Sequence, residues 1–239
     1  MVLIIQTGNP VAIARNEFGD FSDWFIAGMN VSKKQTRVVD VHRNQRLDQV
    51  DLSSLTAVVV TGSASMVTER ADWMLYTQKW LHQVFLEKIP TLGVCFGHQL
   101  IADMLGGRVD YNPKGRNMGE SQFVLNAEGK EDALFSGVES KINTYVSHQQ
   151  CVVKLPESVK LLGSCELDQN HAYRYQDHIW GLQFHPEWNQ AIMAAYINQR
   201  QQDLEKEGFR PQQMRAALTS CNQSFSLLNQ FAQLANVFK

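Results

Sequence analysis

The sequence predicts an α/β fold, with a mostly parallel central sheet flanked by helices. Three observations carry this. Along the first hundred residues, short β-rich runs alternate with stretches of helical apolar spacing. Two of the runs, LTAVVVTG at 55–62 and TLGVC at 91–95, are nearly unbroken, as expected of strands covered on both faces. After Gly106 the texture changes to short strand-like runs separated by turn residues, which predicts an added antiparallel or hairpin region.

The opening MVLIIQTGNP has no basic n-region and no small-residue cleavage site, so VLIIQT (2–7) reads as a first strand and not as a leader. FSDWFIAGM (21–29) has helical apolar spacing, with Asp20 placed to cap it. TRVVDVHR (36–43) reads as a second strand. Residues 71–87 form a helix with Trp73, Tyr76, Trp80, Val84 and Phe85 near one face. HQLIADMLGG (98–107) is a helix ended by glycines. The strand-like runs of the second half are SQFVLN (121–126), KINTYV (141–146), VKLLGSC (159–165), HAYRY (171–175) and HIWGLQF (178–184). Residues 189–239 read as a helical C-terminal segment. One helix runs over 189–208 and ends at Gly208; another runs over 211–238, with Pro211 near its start. No internal repeat or long Gly/Ser/Pro linker interrupts the chain, so a single domain over residues 1–239 is the expectation.

Composition narrows the function. The 239 residues are 44% hydrophobic, ample for a core, and 19% charged without long like-charge blocks, which argues against disorder. A net charge of -2 offers no electrostatic footprint for nucleic acid. No apolar run approaches the roughly 18 residues of a membrane span, so no membrane partner is expected. The four cysteines (Cys95, Cys151, Cys165, Cys221) are far apart and show no CxxC pairing. Disulfides and a zinc site are therefore not expected, and a reducing cytoplasm is the expected location. TGSAS is not followed by G-K-[ST], and the acidic residues show no metal-ligand cluster, so no cofactor is expected.

One short stretch carries chemistry. In PTLGVCFGHQL (90–100), Gly93 and Gly97 flank Cys95 at two residues on either side. A strand that turns at once into a helix brings its backbone close together, and glycines remove the clashing side chains. The same logic shapes the G-x-S-x-G nucleophile elbow. Here sulfur replaces oxygen, the helix N-terminus favours thiolate, and the Phe96 N–H is placed to stabilise an oxyanion. Taken alone, the pentapeptide reads equally as a small buried cysteine in a strand.

A thiolate needs a base and the base needs an orienting group. Among the seven histidines, His42, His82, His171 and His178 sit in ordinary contexts and read as surface or edge residues. His98 lies in the helix after Cys95. His148 lies in VSHQQ and reads as a structural or pocket-edge residue. His185 lies in QFHPEW, where an apolar strand ends, and Glu187 follows two residues on. Period-two geometry sends both side chains to one side of an extended segment, which Pro186 keeps extended. Alone, H-P-E also describes a solvated, idle strand end; together with G-x-C-x-G-x-Q it reads as a catalytic set. Trp188 and Phe225 read as core residues.

GVCFGHQ followed about ninety residues later by FHPE resembles the class I, triad-type glutamine amidotransferases, and in particular stand-alone relatives of the amidotransferase domain of GMP synthase. The resemblance covers roughly residues 1–190. It implies a flavodoxin-like sheet with a nucleophile elbow. It also implies Cys95 as nucleophile, His185 as general base and acid, and Glu187 as orienting carboxylate. The implied reaction is attack on the side-chain amide of glutamine, release of ammonia, and hydrolysis of the γ-glutamyl thioester. The second oxyanion donor is expected from the loop after LTAVVVTG, at Gly62 or Ser63. There the chain reads TGSAS where the family usually carries a Gly-Gly-Pro-like turn. Gln99 matches the family's pocket glutamine, with a plain helix residue as the alternative. Ser147 and His148 match its substrate-holding S-H-x-D segment, but Gln150 replaces the aspartate.

The expected ligand is thus glutamine or a γ-glutamyl small molecule. No synthetase domain is visible in the sequence, so any ammonia acceptor is expected to be a separate synthetase subunit. The alternatives are a γ-glutamyl hydrolase or peptidase coupled to no acceptor, a redox-sensing cysteine protein on a similar fold, and a non-catalytic regulatory subunit.

Overall fold

Alternation along each buried strand assigns the two faces of the sheet. In β1 (Val2–Gln6), Val2 and Ile4 join one core cluster while Leu3 and Ile5 join the other. The same division runs through β3 (Ala57–Val60), where Ala57 and Val59 face one side and Val58 and Val60 the other. These relations are those of a computed structural model, which describes residues 1–238.

The remaining elements follow in chain order. α1 (Ala12–Phe18) and α2 (Phe21–Gly28) lie between β1 and β2 (Thr36–Asp40). α3 (Asp72–Leu86) follows β3, and β4 (Thr91–Val94) leads directly into α4 (Phe96–Met104). The second half contributes β5 (Arg108–Tyr111), β6 (Asn117–Leu125), α5 (Ala127–Lys130), β7 (Lys141–His148), β8 (Gln150–Lys154), β9 (Val159–Ser164), β10 (Ala172–Tyr175) and β11 (Ile179–Leu182). The chain ends in α6 (Gln190–Gln199), α7 (Gln201–Lys206), α8 (Pro211–Ala217) and α9 (Asn222–Leu234).

Nine strands form one sheet in the order β2-β1-β3-β4-β11-β10-β9-β6-β7. The run β2-β1-β3-β4-β11 is parallel, with Ile5 level with Val39 and Val60, and Gly93 level with Val60 and Gly181. From β11 onward the pairings are antiparallel. β5 and β8 make a separate antiparallel ribbon. The predicted class therefore holds, a mostly parallel sheet with an antiparallel extension. β11 is the seam, since it pairs parallel with β4 and antiparallel with β10.

α2 begins where Asp20 was expected to cap it. The Asp20 carboxylate accepts from the Phe21 N–H at 2.8 Å, and Asp23 Oδ2 accepts from the Asp20 N–H at 3.0 Å. α3 and α4 cover one sheet face; α2 and α9 cover the other through Phe25, Leu227, Leu228 and Phe231. No helix among the described residues is long and apolar enough to cross a membrane.

Several sequence expectations need correction. The helix expected over 189–208 is two, α6 and α7, which break at Arg200 (φ -102°, ψ 12°). The helix expected over 211–238 also divides. Leu218 turns extended, and Glu120 accepts from both the N–H and the hydroxyl of Thr219, a tertiary pairing that outweighs continuation through Thr-Ser-Cys. The sequence expectations include neither the helices α1 and α5 nor the strands β5 and β8. Phe225 is 40% exposed, whereas Trp188 is buried. The apolar periodicity of α9 is met by Leu227, Leu228 and Phe231 without Phe225.

The antiparallel extension is pinned by a buried carboxylate. Asp132 Oδ1 accepts from the Leu134 N–H at 2.9 Å and the Trp180 indole N–H at 3.0 Å, and Oδ2 accepts from Arg174 at 2.7 Å. Asp132→Ala would leave the indole unpaired and the guanidinium with only the exposed Asp177 carboxylate, 3.8 Å away. It should lower unfolding stability by about 3 kcal/mol, measured by equilibrium denaturation; a loss within about 0.5 kcal/mol would mean these partners find water instead.

Candidate active site

β4 ends at Val94 and α4 starts at Phe96, so Cys95 alone makes the turn. It does so at φ 52°, ψ -100°, a conformation that costs a non-glycine residue about 1–3 kcal/mol. Only close backbone approach allows so short a turn. A Cβ on Gly97 would lie 2.3 Å from the Val60 carbonyl oxygen, and one on Gly93 would lie 2.7 Å from the Gly97 carbonyl. Hydrogen bonds fix the turn to its neighbours. The Cys95 N–H donates to the Leu182 carbonyl at 2.8 Å, and the Gly97 N–H to the Thr61 carbonyl at 3.1 Å.

His185 stands three residues beyond β11 and is tied to the antiparallel half, its N–H donating to the Tyr145 carbonyl at 2.8 Å. Its Nδ1 donates to Glu187 Oε1 at 2.7 Å, with both side chains buried. Trp188 stacks on the imidazole, ring centroids 3.8 Å apart and planes 10° apart. Burial alone would push this imidazole down. The Glu187 carboxylate and the Cys95 sulfur outweigh it and hold His185 well above its ordinary value, favouring the imidazolium. Cys95 and His185 share one cavity wall.

The loop after β3 closes the site. A Cβ on Gly62 would fall 3.1 Å from His185 Cε1 and 3.8 Å from Cys95 Cβ. The Gly62 carbonyl accepts from the Thr7 hydroxyl at 2.9 Å, and the Ser63 hydroxyl donates to the Thr7 carbonyl at 2.7 Å. Ser63 and Phe96 line the same cavity as Cys95. Phe96 is the first residue of α4, so its N–H has no acceptor within the helix.

The family model for class-I glutamine amidotransferases matches residues 20–201. This chain belongs to that family. The fold is similar to that of a glutamine amidotransferase from Thermotoga maritima, with a TM-score of 0.78 at 20% identity over 98% of this chain and 97% of the other. In sequence the chain is 27% identical over 187 residues to gamma-glutamyl peptidase 3 of Arabidopsis thaliana, covering 77% of this chain and 75% of the relative. It is 36% identical over 141 residues to the glutamine-hydrolysing GMP synthase of Thermosipho melanesiensis, covering 59% of this chain and 26% of that protein. The chain is thus related to GMP synthase amidotransferase domains.

Within this amidotransferase, the other expected site residues fall nearby. Gln99 lines the cavity beside Cys95, but its amide N–H groups are held by the Gln150 carbonyl at 2.7 Å and Gln183 Oε1 at 2.9 Å. The Ser147 carbonyl lies 4.0 Å from Cys95 Sγ. His148 lines the same cavity, yet its ring is buried, with Nδ1 2.8 Å from the Gln150 carbonyl. Burial pushes it down to about 4, so it is neutral at pH 7. Gln150 donates to the Thr68 hydroxyl at 2.7 Å.

His171 is not a surface or edge residue. It is fully buried, with Nδ1 3.0 Å from Asp168 Oδ2 and 3.6 Å from Cys165 Sγ. With Asp168 and His148 it forms a group whose donor atoms lie within 4.8 Å of one another, a spacing the linear sequence does not display. The sequence also gave no sign of Arg200. It lies in the polar stretch NQRQQD, at the junction of α6 and α7, and lines both cavities around Cys95.

Proposed function

We propose that this class I amidotransferase hydrolyses the side-chain amide of glutamine or of a related γ-glutamyl amide through a Cys95 thioester. The observation that carries the reading is Cys95 at the apex of the strand–helix turn, sharing a cavity with a His185 that Glu187 holds by Nδ1. Cys165 also approaches a histidine, but it lies outside both cavities around Cys95.

The reaction follows from these placements. The Cys95 thiolate adds to the amide carbon, and the carbonyl electron pair moves onto oxygen. The Phe96 N–H and one N–H from Gly62 or Ser63 stabilise that oxyanion, each donor contributing about 2.7–4 kcal/mol. Collapse breaks the C–N bond as the nitrogen takes the proton of His185 Nε2. The neutral imidazole then accepts a proton from water, which adds to the thioester carbon. A second oxyanion collapses, and glutamate leaves with Cys95 restored as thiolate. Glu187 keeps the Nδ1 proton in place and stabilises the imidazolium at each stage. The pocket roles of Gln99, Ser147 and His148 are to shape the acyl side; the Gln99 amide N–H groups are engaged within the protein, while His148 Nε2 is buried without a partner.

Two substrates are in view because the relatives' names point both ways, to GMP synthases and to gamma-glutamyl peptidases. Coupled use of ammonia calls for a separate synthetase subunit. A cytoplasmic location suits the four unpaired cysteines. The test is glutamate release by purified protein from glutamine and from a panel of γ-glutamyl amides, with ammonia or the free amine measured in parallel. One glutamate per amine from at least one substrate is the expected result; no glutamate from any of them would sink the proposal.

A further inference from the structure

Cys95 lies between two adjoining cavities, of about 130 and 160 Å³, which share Ser63, Ala64, Ser147 and Arg200. The first extends toward Phe96, Gln99 and Gln150, and the second toward His185. If Cys95 and His185 act as proposed, this difference orients the substrate. The amine that leaves the acyl carbon takes its proton from His185, so it departs into the second cavity, and the glutamyl chain occupies the first. Ammonia is about the size of water, which takes about 30 Å³ in the liquid. The second cavity is several times larger. Its walls include Pro10, Val11, Phe21, Trp188 and Tyr196, an apolar lining that ammonia does not need.

Arg200 adds charge to this space. Its Nε is buried without a hydrogen-bond partner, and among the described residues no carboxylate lies within 4.0 Å of its guanidinium. Glu207 is held by both arms of Arg116 at 2.7 and 2.8 Å, and Glu187 Oε1 by His185, while Glu187 Oε2 is buried without a partner and forms no ion pair with Arg200. Arg200 is half-buried, and a guanidinium whose Nε is closed off from solvent without a partner favours a ligand that supplies an anion. A carboxylate meets it with paired, charge-assisted hydrogen bonds.

We infer that the cavity beside His185 receives the amino-acid leaving group of a γ-glutamyl dipeptide with an apolar second residue, and that Arg200 binds the carboxylate of that leaving group. The inference rests on the amidase reading of Cys95 and narrows its substrate to amides of α-amino acids. Glutamine has no carboxylate on its leaving side, so Arg200 becomes a specificity residue for the larger substrate.

Binding separates this inference from turnover. With Cys95→Ala protein, titration calorimetry compares γ-glutamylphenylalanine with γ-glutamylphenylalanine amide, which differ only in the leaving-group carboxylate. The acid should bind at least about tenfold more tightly. Adding Arg200→Gln should erase that preference, and Arg200→Lys, which keeps the charge, should restore part of it. Equal binding of acid and amide, or no binding of either, overturns the inference. So does an Arg200→Gln variant that weakens both ligands equally, since Arg200 would then hold the glutamyl carboxylate common to both. Wild-type protein that shows the Arg200-dependent preference but releases neither phenylalanine nor ammonia would support the carboxylate site and overturn the amidase reading.

Discussion

Cys95→Ala should lower the rate of glutamate release by about 10⁴–10⁶-fold, as loss of a nucleophile does where the oxyanion donors and binding pocket survive. The fold should survive as well, because the replaced thiol is small. Cys95→Gly should be equally inactive but more stable than Cys95→Ala. At an unstrained position glycine is the less stable of the two by roughly 0.5–1 kcal/mol. At φ 52°, ψ -100° alanine keeps the conformational cost that cysteine carries, and glycine does not. We expect the order to invert, with Cys95→Gly more stable than Cys95→Ala by about 1 kcal/mol in equilibrium denaturation. The two readouts report separately. Residual activity near wild type in both variants would remove Cys95 as the nucleophile. An alanine variant as stable as the glycine variant would remove the strained turn from the argument.

The strain explains why this part of the site was legible in sequence. G-x-C-x-G records a local steric requirement, and both glycines meet backbone where a Cβ would stand. His185 and Glu187 were legible as a pair for a similar reason, being two residues apart on an extended segment. The parallel half of the sheet was legible because burial on both faces leaves continuous apolar runs such as AVVV in β3. The antiparallel half was only coarsely legible. Its strands appear in the sequence, but the order β11-β10-β9-β6-β7 depends on long-range pairings that no local pattern records.

What the sequence concealed was tertiary in origin. Asp168 and His171 look like ordinary turn and strand-edge residues until Phe123, Phe184 and His148 close around the imidazole. The Glu120–Thr219 contact spans 99 positions and breaks a helix that local propensity would continue. Arg200 belongs with these. Its stretch carries no apolar periodicity, so the chain shows neither the break between α6 and α7 nor the cavity that the break faces.

Gly97→Ala should be among the most damaging single-carbon additions in the molecule. In an ordinary helix this change stabilises by up to about 1 kcal/mol. Here the new Cβ would stand 2.3 Å from the Val60 carbonyl oxygen and 2.9 Å from the carbonyl carbon, both backbone atoms of a fully buried central strand. Neither can rotate away. Relief requires α4 to move off β3, which stretches the Gly97 N–H···Thr61 bond and turns the Phe96 N–H from the oxyanion position proposed for it. We expect a stability loss of about 3 kcal/mol, at the upper end for an inserted methyl group, together with a fall in kcat for the protein that remains folded. Gly106→Ala supplies the contrast. Gly106 sits at φ +90° with nothing within 4 Å of a built Cβ, so its substitution meets backbone strain alone and should cost about 1 kcal/mol. If Gly97→Ala proves no more destabilising than Gly106→Ala, the close approach of α4 to β3 is not what holds Cys95 at the turn.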